Sequence, residues 1–128
     1  MITRAAVDSL QHNLHDFYLV NYANADVMAR TGNFEATVQA VEFLDKQLGV
    51  LFEEVVVKRN GVLCVTSAHS SADYIPTVVK EKTGRLFMGS PVYFLLLKQN
   101  LENKQVELPV RELSDIAPFM AHMVFDQD

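Results

Sequence analysis

The sequence predicts an α/β fold, layered α/β/α around a mostly parallel sheet, and three observations carry that expectation. From Phe34 onward, apolar residues recur every three or four positions, the period of an amphipathic helix. Two short runs, VLCVT at 62–66 and VYFLLL at 92–97, are apolar almost throughout, as strands covered on both faces are. Helix-like and strand-like stretches also alternate along the chain.

Each element has a local reason. Residues 4–13 read as a short helix, and FYLVNY at 17–22 as an aromatic-rich strand. Residues 24–32 read as a loop. Asn33 is placed to cap a long helix, and Glu35 in its first turn suits the positive end of the helix dipole. Phe34, Val38, Val41, Leu44, Leu48, Leu51, Phe52 and Val55 form its apolar stripe, interrupted only by the adjacent pair Leu51 and Phe52. Asn60-Gly61 closes it, and VLCVT begins a strand. Residues 75–91 predict a hairpin, with IPTVV and RLFM around Lys82-Thr83-Gly84. VYFLLL is a third strand and LENKQ a surface turn. VELPV reads as a short edge strand, because Pro109 disfavours a central place. The last helix starts near Ser114, with Pro118 tolerated in its first turn and Ile116, Phe119, Met120, Met123 and Val124 facing inward.

The totals narrow the function classes. A chain of 128 residues suits a single domain, here 1–128, and 49% hydrophobic with 21% charged residues is the composition of an ordinary globule. Eleven basic against sixteen acidic side chains give a net charge of −5, which repels phosphate backbones. The only close basic set is Lys80, Lys82 and Arg85, so no nucleic-acid partner is expected. Cys64 sits in an apolar run and reads as a small hydrophobe. The opening MITRAAVDSL, with early Arg4 and Asp8, does not read as a signal peptide. VYFLLL is too short to cross a bilayer, so no membrane partner and a cytoplasmic location are expected.

Three stretches go beyond pattern. They are NYANADVMARTGNFEATVQAVEFLDKQLG at 21–49, CVTSAHSS at 64–71, and SPVYFLL at 90–96 with LSDIAP at 113–118. In order and spacing they resemble the C-terminal part of the phosphatase domain of cofactor-independent phosphoglycerate mutases. These are two-metal enzymes of the alkaline-phosphatase superfamily, usually loaded with manganese. The resemblance implies an alkaline-phosphatase-like partial domain, and it allows a comparison residue by residue. Asp26 stands at a metal-binding aspartate of that family. Arg30 stands where the same motif has a metal-binding histidine. Ala68-His69 stands at an Asp-His pair that binds the second metal, so the imidazole is kept and the carboxylate is not. Phe87 falls at a further histidine position. The family's N-terminal aspartate and serine nucleophile belong to a part outside these 128 residues.

Charge arithmetic makes the replacement by arginine costly for a metal. Manganese sites need several converging oxygen and nitrogen donors, with carboxylates to neutralise the ion. Guanidinium stays charged at every working pH. At about 5 Å from a dication it contributes roughly 7 kcal/mol of gross repulsion at an effective dielectric of 20. No catalytic residue, no metal and no cofactor are therefore expected, Asp26 and His69 being residual ligand positions. The chain is not expected to perform the mutase reaction on its own.

The remaining candidates weigh toward structure. His69 is expected to be a strand-end imidazole bonded to nearby backbone or a serine, the sharper alternative being a residual metal or phosphate contact. Asp26 is expected to cap its loop or to pair with Arg30. Ser67, His69 and Asp73 lie too close in sequence to argue for a hydrolytic triad. His12 and His15 near Asp16, and His122, read as surface or boundary residues, and Tyr22 and Tyr74 as packed aromatics. The expected role is a catalytically degenerate binding or assembly module. It would be a homodimer, or dock on a partner protein covering an open side of the sheet. Two alternatives stay open: a metal site completed by another chain, and anion or phosphometabolite binding at Arg30, Ser70 and Ser71.

Overall fold

A computed structural model describes residues 2–69, 91–101 and 108–125. Helix α1 (Ile2–Gln11) buries Thr3 and Leu10, seven residues apart and thus on one face. The Thr3 hydroxyl lies 2.8 Å from the Tyr22 hydroxyl, and Tyr18 donates to the Ser9 carbonyl at 3.2 Å. These contacts lay residues 17–22 back along α1 as irregular chain instead of the expected strand. A strand needs a ladder partner, and this segment's tyrosines are satisfied by a helix instead.

Residues 24–32, expected as a loop, contain helix α2 (Asn24–Arg30). Ala, Met and Arg are good helix formers. Asp26 in the first turn and Arg30 in the last complement the helix dipole and pair one turn apart. The turn that follows is built by three residues. The Thr31 hydroxyl donates to the Met28 carbonyl at 2.6 Å and accepts from the Asn33 amide at 3.3 Å. Gly32 takes φ of +73°, a left-handed conformation that costs glycine nothing. Asn33 caps helix α3 (Phe34–Phe52) as expected, accepting from the Ala36 amide at 3.0 Å.

The apolar stripe of α3 divides. Leu51 is buried and Leu44, Leu48 and Val55 are half-buried, but Phe34, Val38, Val41 and Phe52 are exposed. Thr37 and Gln47 are buried, and the small Ala36 and Ala40 line a hollow against α2. Beyond Phe52 the helix widens into a π-turn over Glu53–Val57. Its carbonyls are all claimed: Glu53 by the Lys58 amide, Glu54 by the Arg59 guanidinium, Val55 by the Gly61 amide and Val56 by the Asn60 amide. The Gln99 side-chain amide donates to Val56 and Val57 at 2.7 and 2.9 Å. The Glu54 carboxylate, 9% exposed, pairs with Lys58 and with Arg59. Hydrogen bonds from Lys58 and then Arg59 hold it below the usual carboxylate range.

Asn60 at φ +53° turns the chain into strand β1 (Leu63–Thr66), which pairs with β2 (Phe94–Leu97). The pairing is antiparallel, Leu63 opposite Leu97 and Thr66 opposite Phe94, so a mostly parallel sheet is not what the described residues form. Unbroken hydrophobicity does not report strand direction, and it overstated cover as well, since Leu95 is 50% exposed. A 3₁₀ turn (Leu113–Asp115) leads into helix α4 (Ile116–Phe125), its entry fixed by the Asp115 carboxylate accepting from the Arg111 and Glu112 amides. Pro118 falls in the first turn as expected. Phe119 packs edge-on against Phe94 with ring centroids 6.0 Å apart, and Met120 sulfur lies 3.1 Å from Cys64 Sγ, so α4 covers one face of the strand pair. Among the described residues, Leu10, Ala29, Leu51 and Val56 are the buried apolar members of the core. The expected hairpin at 75–91 and residues 106–107 of the expected edge strand lie essentially outside the described residues; Leu108–Val110 is not strand.

Candidate functional site

The first side chain of the site comes from α2. Its position follows from the Thr31-Gly32-Asn33 turn, which sets α2 against α3. Asp26, 31% exposed, accepts a hydrogen bond at Oδ2 from Arg30 Nε at 2.9 Å. Its other oxygen, Oδ1, lies 3.8 Å from Nδ1 of His69, which follows β1. The structure thus shows the expected Asp26–Arg30 pair on a helix and brings His69, from a strand's carboxyl end, beside it. At 3.8 Å these two atoms lie beyond direct hydrogen-bond distance. Arg30 is 64% exposed, so its remaining N–H groups are accessible to solvent.

The other candidates separate from this cluster. Ser70, Ser71, Asp73, Tyr74 and Phe87 lie outside the described residues. His12 and His15 fall beyond the end of α1, so they share no helix face. His12 Nδ1 lies 2.6 Å from the Asp8 carbonyl, and His15 sits edge-on to Tyr18. Tyr22 packs on Thr3. Burial pushes the Cys64 thiol up, which keeps it protonated and a poor nucleophile. A shallow apolar hollow between α2 and α3, lined by Val27, Met28, Ala36, Ala40 and Phe43 among others, does not reach Asp26, Arg30 or His69.

Among the described residues, no three His, Cys, Asp or Glu side chains converge as a metal-binding group. No helix among them is long and apolar enough to cross a membrane. Sequence reasoning missed that α2 is a helix, which is what fixes Asp26 and Arg30 on one face. The signal was present in the four-residue spacing of two opposite charges. The approach of His69 to Asp26 is a tertiary contact that no local pattern reports.

Comparison with known proteins identifies relatives of the chain. The chain is 33% identical over 123 residues to the 2,3-bisphosphoglycerate-independent phosphoglycerate mutase of Clostridioides difficile (strain 630), covering 96% of this chain and 24% of the relative. It is 32% identical over 123 residues to the enzyme of that name from Francisella philomiragia, covering 96% of this chain and 23% of the relative. Over 73 residues it is 49% identical to a protein of Leptospira interrogans named "Probable 2,3-bisphosphoglycerate-independent phosphoglycerate mutase", covering 57% of this chain and 13% of the relative. The chain therefore spans about a quarter of the length of the full mutases it matches. No solved structure matches it. The sequence pattern of the metalloenzyme superfamily fits residues 1–125. With that pattern running through nearly all of its residues, the chain belongs to the metalloenzyme superfamily, where it is similar to phosphoglycerate mutases.

Proposed function

We propose that this chain is a non-catalytic member of its superfamily, a binding or assembly module that keeps the mutase-like scaffold without the mutase reaction. The observation that carries this reading is the Asp26 carboxylate held by Arg30 at 2.9 Å. A dication arriving there meets one carboxylate already neutralised and one imidazole, together with a permanent positive charge. The described donors do not fit a divalent metal. The exposed apolar residues Phe34, Val38, Val41 and Phe52 along α3 support the assembly part, as exposed apolar side chains favour association. The partner is a second copy or another chain covering that face. The test is twofold. The purified 128-residue chain, assayed with 3-phosphoglycerate and with a generic phosphoester in added Mn²⁺, shows no turnover above a D26N control. Size-exclusion chromatography with light scattering shows a mass above that of the monomer. Turnover that depends on Asp26 overturns the non-catalytic reading, and a clean monomer at micromolar concentration overturns the homodimer.

A second reading has its own support. The 3.8 Å between Asp26 Oδ1 and His69 Nδ1 is close to the spacing of neighbouring ligands on one ion. Another chain could therefore complete a metal site around this pair. Micromolar Mn²⁺ binding that appears only in a mixture with that chain, and is lost in D26N or H69A, favours it. Anion binding at Arg30 with Ser70 and Ser71 would appear as a thermal shift with phosphate or 3-phosphoglycerate that R30Q abolishes.

A further inference from the structure

We propose that α3 docks a basic amphipathic helix of another chain along a heptad seam with Asp45 near its centre. The proposal rests on the assembly reading above and names the partner of the α3 face. Phe34, Val38, Val41, Asp45, Leu48 and Phe52 follow one another at alternating spacings of four and three within the 19 residues of α3. That is the repeat by which one helix receives another, and at 100° per residue the six fall within an arc of about 80°. The seam runs about 27 Å along the helix. Phe34 is 63% exposed, Val38 39%, Val41 46% and Phe52 38%, so the chain leaves most of this seam uncovered. Its own packing uses the adjacent row, where Thr37 and Leu51 are buried. The row on the other flank is acidic, with Glu35 and Glu42 seven residues apart. Among the described residues, Asp45, Glu35 and Glu42 form no ion pair. Three and four positions from Asp45 stand Val41, Glu42, Leu48 and Gly49, none of them basic, and Lys46 leaves the helix about 100° away. This charge pattern selects the occupant. A second copy docked along the seam, parallel or antiparallel, would bring two Asp45 carboxylates into it without a counter-ion, which is costly. A helix with lysine or arginine at its central seam position and along its flank answers all three carboxylates, as charges in and beside a seam set partner choice.

The probe is a fluorescein-labelled helical peptide of three heptads, with leucine at its seam positions, lysine at the central one and lysine along one flank. Its counterpart carries glutamate at each lysine position. Fluorescence anisotropy measures both against the full 128-residue chain, as wild type, D45K, and V38D combined with V41D. The lysine peptide is expected to bind wild type at least about tenfold more tightly than the glutamate peptide. D45K narrows that preference at least fivefold, and so does salt at about 0.5 M. V38D with V41D abolishes binding of the lysine peptide. Added negative charge would strengthen a merely electrostatic attraction, so that loss reports the apolar seam. Circular dichroism shows which variants have folded; if the double variant is unfolded, D45K, altered at an exposed position, decides. Equal binding of the two peptides, binding of neither, or a preference that D45K leaves unchanged overturns the inference, as does lysine-peptide binding that survives in a folded double variant. Light scattering of wild type and V41D adds one more check: a wild-type dimer that V41D dissociates means that the face holds a second copy, which also overturns it. An inactive wild-type chain that ignores the lysine peptide overturns this inference alone. Turnover that depends on Asp26, with the peptide preference intact, overturns only the non-catalytic reading.

Discussion

Neutralising the Asp26–Arg30 pair is the most direct perturbation of the cluster, and its size can be worked from the structure. At an effective dielectric of 20, two unit charges at about 4 Å attract by roughly 4 kcal/mol gross. Most of that is offset. Arg30 is 64% exposed and Asp26 31%, so solvent screens the pair and the long arginine side chain loses rotamer freedom in holding it. Exposed pairs with this i, i+4 geometry retain about 0.3–1 kcal/mol, and the aspartate-first order is the favourable one on a helix. The expected coupling energy is about 0.5 kcal/mol, measured by urea unfolding of wild type, D26N, R30Q and the double variant. D26N alone costs about 1 kcal/mol, because it also removes a negative charge from the first turn of α2. That corresponds to a fall in melting temperature of roughly 4 °C at this chain length. Raising salt to 1 M shrinks the coupling, as the Debye length drops to about 3 Å. Zero coupling at low salt, or a stabilising R30Q, refutes the claim that the guanidinium holds this carboxylate, and with it the reasoning that excludes a metal.

Leu51→Ala should cost about 2–4 kcal/mol, since the side chain is 5% exposed, whereas Phe34→Ala at 63% exposed should stay within about 1 kcal/mol in the monomer; chemical denaturation compares them. Gly61→Ala should cost about 1–3 kcal/mol, because the new methyl would stand 3.0 Å from both the Val55 carbonyl oxygen and Val55 Cγ1. Gly32→Ala has open space around it, so its cost of about 1 kcal/mol comes from the positive φ alone. Glu54 titrates lower in the folded chain than its ordinary 4.5. Its contribution is therefore full above the unfolded value and lost as pH falls below about 4.5 through the folded one. E54Q should flatten that part of an acid-unfolding profile.

Helix capping was legible because it is settled within four residues: Asn33 and Ala36 need no tertiary information. Helix α4 was legible for the same reason, its inward residues following from spacing and its tolerance of Pro118 from the unpaired first turn. The π-turn was not. EEVVV reads as continued α-helix, and the adjacency of Leu51 and Phe52 gave the one local hint that the covered face was changing. Residues 17–22 misled because a strand and an extended segment strapped onto a helix by tyrosine hydroxyls share the same aromatic-rich composition. Strand direction was equally illegible, since apolar content does not encode which way a strand runs. At the site, the Asp26–Arg30 pair could be foreseen from charge and spacing. The addition of His69 depends on where β1 ends relative to α2, which is a property of the packed chain.

Gln99 has a consequence for how such sequences can vary. Its side chain clasps the carbonyls of Val56 and Val57, so the chain leaving β2 is pinned to the segment that enters β1. A substitution that removes this amide would take the Val57 carbonyl's partner and the outer end of the strand pair's tie to the π-turn, while Thr66 and Phe94 at the other end keep their pairing.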